Sequence, residues 1–247
     1  MPLLPKTSYI FCLLLDIEGT TTSVDFVYKT LFPFAGAHVE SYLYRHAAEP
    51  ETKRLLSELR AGQAADAERD PQLGVWMRGT AAEEIVTAAN YVRHLMAQDR
   101  KVTALKTLQG RIWEEGFRSG ELKGHVYEEV PEAFGRWRAG GKRIAIFSSG
   151  SVQAQKLLFG HSVAGDLTEY IDAYFDTTTG PKREAASYAA IGEAMGVAAE
   201  GVLFVSDVTE ELDAAREAGM QTALMVRPGA VRPDGSGHTA FESFAGL

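Results

Sequence analysis

Apolar residues cluster in short runs, unbroken at Tyr9–Leu15, Val202–Val205 and Ala223–Val226 and with one charged residue each at Arg143–Phe147 and Ile171–Phe175. Runs of this length without alternation predict strands buried on both faces. Between the later runs the apolar spacing lengthens to three and four, predicting helices over Glu132–Ala139, Ser151–Phe159, Glu184–Met195 and Thr209–Ala218. Gly140-Gly141 ends the first of these and Gly219 the last. Strands alternating with helices at this spacing predict an α/β fold, a doubly wound parallel sheet.

The stretch from Thr22 to His125 reads differently, with helical patterns and little strand signal. Thr80 and Glu83 have the spacing of a capping box, and Ile85, Ala88, Ala89, Val92, Leu95 and Met96 then recur on one helical face. Val102, Leu105, Leu108 and Ile112 repeat the pattern. The polar, alanine-rich segment Ala61–Gly74, with Asp70-Pro71, is expected to break between helices. The expected organisation is an α/β core of residues 1–21 and 126–247, with residues 22–125 as a helical cap inserted after the first strand. An insertion there is placed to cover the carboxyl edge of the sheet.

Composition narrows the class. The 247 residues carry a formal charge of −8, which argues against nucleic acid as a partner. The lone cysteine, Cys12, lies inside the first apolar run, as expected of core packing in a reducing compartment. That run is too short to span a membrane and no small-residue cleavage site follows it, so neither a signal peptide nor a membrane partner is expected. The six scattered histidines show no zinc-site spacing. The expectation is a cytoplasmic globular protein.

The strand ends carry the chemistry. In Asp16-Ile17-Glu18-Gly19-Thr20 two carboxylates stand two residues apart, on the same side of an extended chain. Such a pair needs a cation or a shared proton; alternatively Asp16 only caps the next helix. The second strand ends at Ser148-Ser149-Gly150-Ser151, where hydroxyls and a helix N-terminus suit an anion or form an ordinary cap. A serine-hydrolase elbow is excluded, because Ile146 and Phe147 stand where its first glycine would fall. Asp207, at the end of the fourth strand, is placed to share a magnesium ion with Asp16, while Glu210 and Glu211 are expected only to complement a helix dipole. Lys182, on the turn Gly180-Pro181-Lys182, is either a solvated charge or a cation that reaches phosphate.

The order Asp16-x-Glu18-Gly19-Thr20, Ser148/Ser149, Lys182, Asp207 resembles the four-motif pattern of the haloacid dehalogenase superfamily. Glu18 and Ser206-Asp207 depart from the aspartates usual there. Together with Leu31-Phe32-Pro33-Phe34, Asp99-Arg100-Lys101 to Leu108-Gln109-Gly110, Phe147 to Ser162 and Phe175-Asp176-Thr177, they are similar to the enolase-phosphatases, also called acireductone synthases. The resemblance implies a Mg2+-dependent, monomeric enzyme of methionine salvage. Its substrate would be the small phosphorylated diketone 2,3-diketo-5-methylthiopentyl-1-phosphate. It further implies Asp16 as nucleophile and Glu18 as acid/base. Ser148, Ser149 and Lys182 would hold phosphate, and Asp16, Glu18 and Asp207 would hold the metal. Phe32, Phe34, Tyr42, Trp113 and Phe117 are candidates for an apolar substrate pocket or for core packing. A phospho-acceptor signalling module and a metal-free dehalogenase are the alternative classes.

Overall fold

The computed structural model describes residues 10–70, 73–77, 79–100 and 102–247. Tyr9 of the first predicted strand, Pro71 of the predicted break and Lys101 lie outside the described residues. The chain separates into two units, one built on residues 10–26 and 120–247 among those described, the other Val27–Ser119.

The first unit begins with β1 (Cys12–Leu15), shorter than its apolar run, and a single turn α1 (Val24–Phe26). The second unit opens on a π-helical turn, Val27–Leu31, and continues through α2 (Phe32–Arg45), α3 (Pro50–Ala67), α4 (Ala81–Ala97) and α5 (Thr103–Ser119). Leu43, Leu55, Leu59, Val92, Leu95 and Leu108 form its buried centre. The capping box forms as its spacing predicts: Glu83 N–H donates to Thr80 Oγ1, and Thr80 N–H donates to Glu83 Oε2.

One expectation fails in this unit. Residues 61–67, read as a break, continue α3. Their polar side chains find partners at the surface of the unit's core: Gln63 Nε2 donates to Gly74 O at 2.6 Å, and Tyr91 Oη donates to Asp66 Oδ2 at 2.7 Å. A buried polar group with a partner costs little, so the helix runs on.

The chain then returns to the first unit with α6 (Val130–Ala139), β2 (Arg143–Phe147), α7 (Val152–Gly160) and β3 (Ala173–Phe175). α8 (Ala185–Met195), β4 (Val202–Ser206), α9 (Thr209–Glu217), β5 (Gln221–Met225) and β6 (Thr239–Phe241) complete it. The sheet is parallel throughout, in the order β3-β2-β1-β4-β5-β6. β1 is central, and its four residues are all buried, which explains the continuous apolar run. Cys12, Leu14, Phe147, Phe204 and Leu224 pack with Tyr188 and Ile191 of α8 and Leu212 of α9. Among the described residues no helix is long and apolar enough to cross a membrane.

Candidate active site

The register that pairs Leu15 with Ile146 on one side and Val205 on the other brings the ends of β1, β2 and β4 level. Order reverses at β1, with β2 and β4 on opposite sides, so the crevice opens beyond its carboxyl end. Asp16 occupies that point and is buried. Its Oδ1 accepts the Ile17 N–H at 2.7 Å and lies 2.8 Å from Lys182 Nζ, while its Oδ2 lies 3.1 Å from Ser206 Oγ.

After Asp16 the chain folds back tightly. The N–H groups of Thr20, Thr21 and Thr22 all donate to Ile17 O, at 3.2, 2.9 and 2.9 Å. Gly19 makes the turn at φ +68°, and a Cβ there would collide with the Asp207 carboxylate. This close approach, which only glycine allows, carries the β1 loop against the end of β4. Glu18 stands half-buried on the same loop.

Lys182 is fixed from below. Tyr188 Oη donates to the Lys182 carbonyl at 2.6 Å and Ser187 Oγ to the Pro181 carbonyl at 2.7 Å. The lysine is therefore no solvated charge: its side chain is nine-tenths buried and its Nζ stands between Asp16 Oδ1 and Glu211 Oε2, 2.7 Å from the latter. Burial opposes its charge, but the two carboxylates outweigh burial and raise its pKa. Glu211 corrects the sequence reading. It does not serve only as a dipole complement, because it lies buried on the first turn of α9 as the partner of Lys182, with Ser206 Oγ 3.2 Å away. Its pKa is raised by burial first and by Asp16 next.

Ser148 is buried and its Oγ accepts the Gly150 N–H at 3.1 Å, whereas Ser149 is exposed. Ser151 caps α7 by accepting the Ala154 N–H, and Asp176 Oδ2 accepts the Val152 N–H at 3.1 Å. Gln155, which sequence reading passed over, donates from its amide to Gly150 O and Phe175 O, both at 2.8 Å, bracing this loop against β3.

Asp207 is pushed up to about 6, by burial and then by the charge of Asp16. A buried carboxylate raised by a neighbouring carboxylate's charge, among oxygen donors, fits a hard divalent cation. Among the described residues no three Asp, Glu, His or Cys side chains are gathered into a metal-holding group. The charges of Asp16 and Glu18 both act on Asp207. An ion would draw on the Asp16 and Asp207 carboxylates, with water or backbone oxygen completing its shell.

The aromatic candidates of the helical unit serve its packing. Tyr42 and Phe117 are buried, Trp113 stacks on Phe32 and donates to the Leu31 carbonyl, and Phe34 stacks on His38.

A family model described as haloacid dehalogenase-like hydrolase matches residues 11–219. The enolase-phosphatase E1 of Synechococcus elongatus is 51% identical over 241 residues, covering 98% of this chain and 99% of the relative. The enolase-phosphatase E1 of Drosophila melanogaster is 46% identical over 231 residues, covering 93% and 88%. Among solved structures, the UTR4 protein of Saccharomyces cerevisiae superposes with a TM-score of 0.77 at 35% identity, covering 96% of this chain and all of that one. A crystallised dehalogenase, at 16% identity and a TM-score of 0.55, shares the fold.

Proposed function

Since the chain belongs to the haloacid dehalogenase-like hydrolases, in the enolase-phosphatase E1 family, we propose that its Asp16 site enolises 2,3-diketo-5-methylthiopentyl-1-phosphate and then removes the phosphate in methionine salvage. The observation that carries the chemistry is the placement of Lys182 Nζ 2.8 Å from Asp16, at the crevice where the sheet order reverses. A carboxylate nucleophile and a phosphate repel each other, and a buried ammonium beside the carboxylate relieves that repulsion.

Asp16 Oδ1 takes both the Ile17 N–H and Lys182, whereas Oδ2 takes only the Ser206 hydroxyl at 3.1 Å, which makes Oδ2 the attacking atom. Oδ2 forms a bond to phosphorus as the bond from phosphorus to the substrate oxygen breaks. Glu18 gives its proton to the departing oxygen, then takes one from the water that attacks phosphorus, which returns Asp16 and releases phosphate. Ser148, Ser149 and Lys182 hold the phosphoryl oxygens through the transfer. Mg2+ bound by Asp16 and Asp207 would draw nucleophile and phosphate together. For the first step, Glu18 is the candidate to remove the proton from the carbon bearing the phosphate. We place the protein in the cytoplasm as a monomer.

Proton and phosphorus NMR of the protein with the diketone phosphate tests the reading. Loss of the carbon-bound proton followed by release of inorganic phosphate, both dependent on Mg2+, is expected. Phosphate release with no enol product would reduce the activity to that of a simple phosphatase.

A further inference from the structure

Arg227 lies just past the end of β5, on the carboxyl edge of the sheet, yet it is buried. Its Nε donates to the Thr20 carbonyl at 3.1 Å and its Nη2 donates to the same oxygen. Its Nη1 pairs with Glu129 and reaches the Glu242 carbonyl at 3.3 Å. The guanidinium lies 3.8 Å from the centre of the Tyr127 ring and 5.1 Å from that of Phe244. Tyr127 is itself tied to the same loop, since its N–H donates to the Thr21 carbonyl at 3.1 Å. Burying a cation is costly, and this one spends two of its donors on a single backbone oxygen in the loop that follows Asp16.

That oxygen belongs to the residue after Gly19, whose backbone rests against the Asp207 carboxylate. We propose that Arg227 is a positioning residue for phosphoryl transfer: its fork on the Thr20 carbonyl anchors the loop just after Gly19 and so sets how Gly19 sits against Asp207 and where Glu18 stands relative to Asp16. A lysine offers a point charge in place of a planar fork and cannot hold the carbonyl and Glu129 together in this geometry. This inference rests on the phosphatase reading of the site.

The test compares the parent protein with Arg227→Lys and with the double variant Arg227→Met/Glu129→Gln, which removes both members of the ion pair and leaves no buried charge unmatched. Both are expected to lose about 10²-fold in kcat on the diketone phosphate with little change in KM, as for a small misplacement of reacting groups. Amide exchange at Thr21 and Thr22, which donate to Ile17 O, is expected to accelerate, while amides of β1 keep their protection. Parental kcat in either variant overturns the proposal. So does exchange that accelerates uniformly, or failure of both variants to fold, since Arg227 would then be a general stabilising residue. A parent protein that does not turn over the diketone phosphate defeats the functional reading instead, and the exchange pattern still decides whether Arg227 holds the loop.

Discussion

Glu211 Oε2 stands 2.7 Å from Lys182 Nζ, which also lies 2.8 Å from Asp16 Oδ1. The lysine is thus held in place by one carboxylate while it neutralises another. A flexible four-carbon stem would otherwise let the ammonium wander, and burial alone would favour its neutral form. Glu211→Gln should lower kcat by tenfold or more, in the range of about 10–100-fold seen when an orienting partner is lost. Stability should change much less, because burial and Asp16 already disfavour the Glu211 charge and a glutamine oxygen still accepts from Lys182. Steady-state kinetics and thermal unfolding of the variant check both. Lys182→Arg should recover only part of the activity that Lys182→Ala loses, because a guanidinium is broader than the gap an ammonium fills.

Gly19→Ala tests the close approach of the β1 loop to Asp207. The added methyl meets the Asp207 carboxylate, and alanine at φ +68° carries about 1–3 kcal/mol of strain. Turnover should fall more steeply than stability, because relief of the clash moves Asp207 away from Asp16. A variant with parental kcat and a higher Mg2+ requirement would place the damage in metal binding alone.

Glu18 separates the two steps. Glu18→Gln keeps the size of the side chain and removes proton transfer, so both hydrogen–deuterium exchange at the phosphate-bearing carbon and phosphate release should slow by about 10²- to 10⁴-fold. NMR of the diketone phosphate in deuterium oxide follows both. Normal exchange with collapsed phosphate release would confine Glu18 to the phosphatase step.

In the helical unit, the Tyr91 hydroxyl and then Arg100 hold the pKa of Asp66 below its ordinary 3.8. A carboxyl lowered on folding contributes stability above its unfolded pKa and loses it as pH falls through the folded one. The stability difference between parent and Asp66→Asn should therefore be full at neutral pH and shrink steadily below about pH 4. Urea unfolding of both proteins at a series of pH values measures it. A difference that stays constant to low pH would remove Asp66 from the linkage.

Much of the sheet was legible because β1, β2 and β4 are buried on both faces and read as apolar runs. β6 was missed: Thr239–Phe241 is short, half-buried and at the edge, so neither run nor alternation marks it. The continuation of α3 was missed because Gln63 and Asp66 look solvent-facing until their partners, Gly74 and Tyr91, are in view. At the site, Asp16, Ser148, Lys182 and Asp207 could be found because strand ends and glycine turns point to them. Glu211, Gln155 and Arg227 act through contacts with residues far away in sequence, which local pattern does not record. Glu211 and Glu210 look alike on paper; burial against Lys182 distinguishes them.

Phosphoryl transfer through Asp16 is tested most directly by trapping. The protein is quenched in acid during turnover of the diketone phosphate, reduced with borohydride, digested and analysed by mass spectrometry. An aspartyl-phosphate is reduced to homoserine, so the peptide containing residue 16 should show homoserine in place of aspartate, and the same peptide without substrate should not. Aspartate intact at position 16 in protein quenched while it is releasing phosphate, with reduction found at another carboxylate, would contradict the assignment.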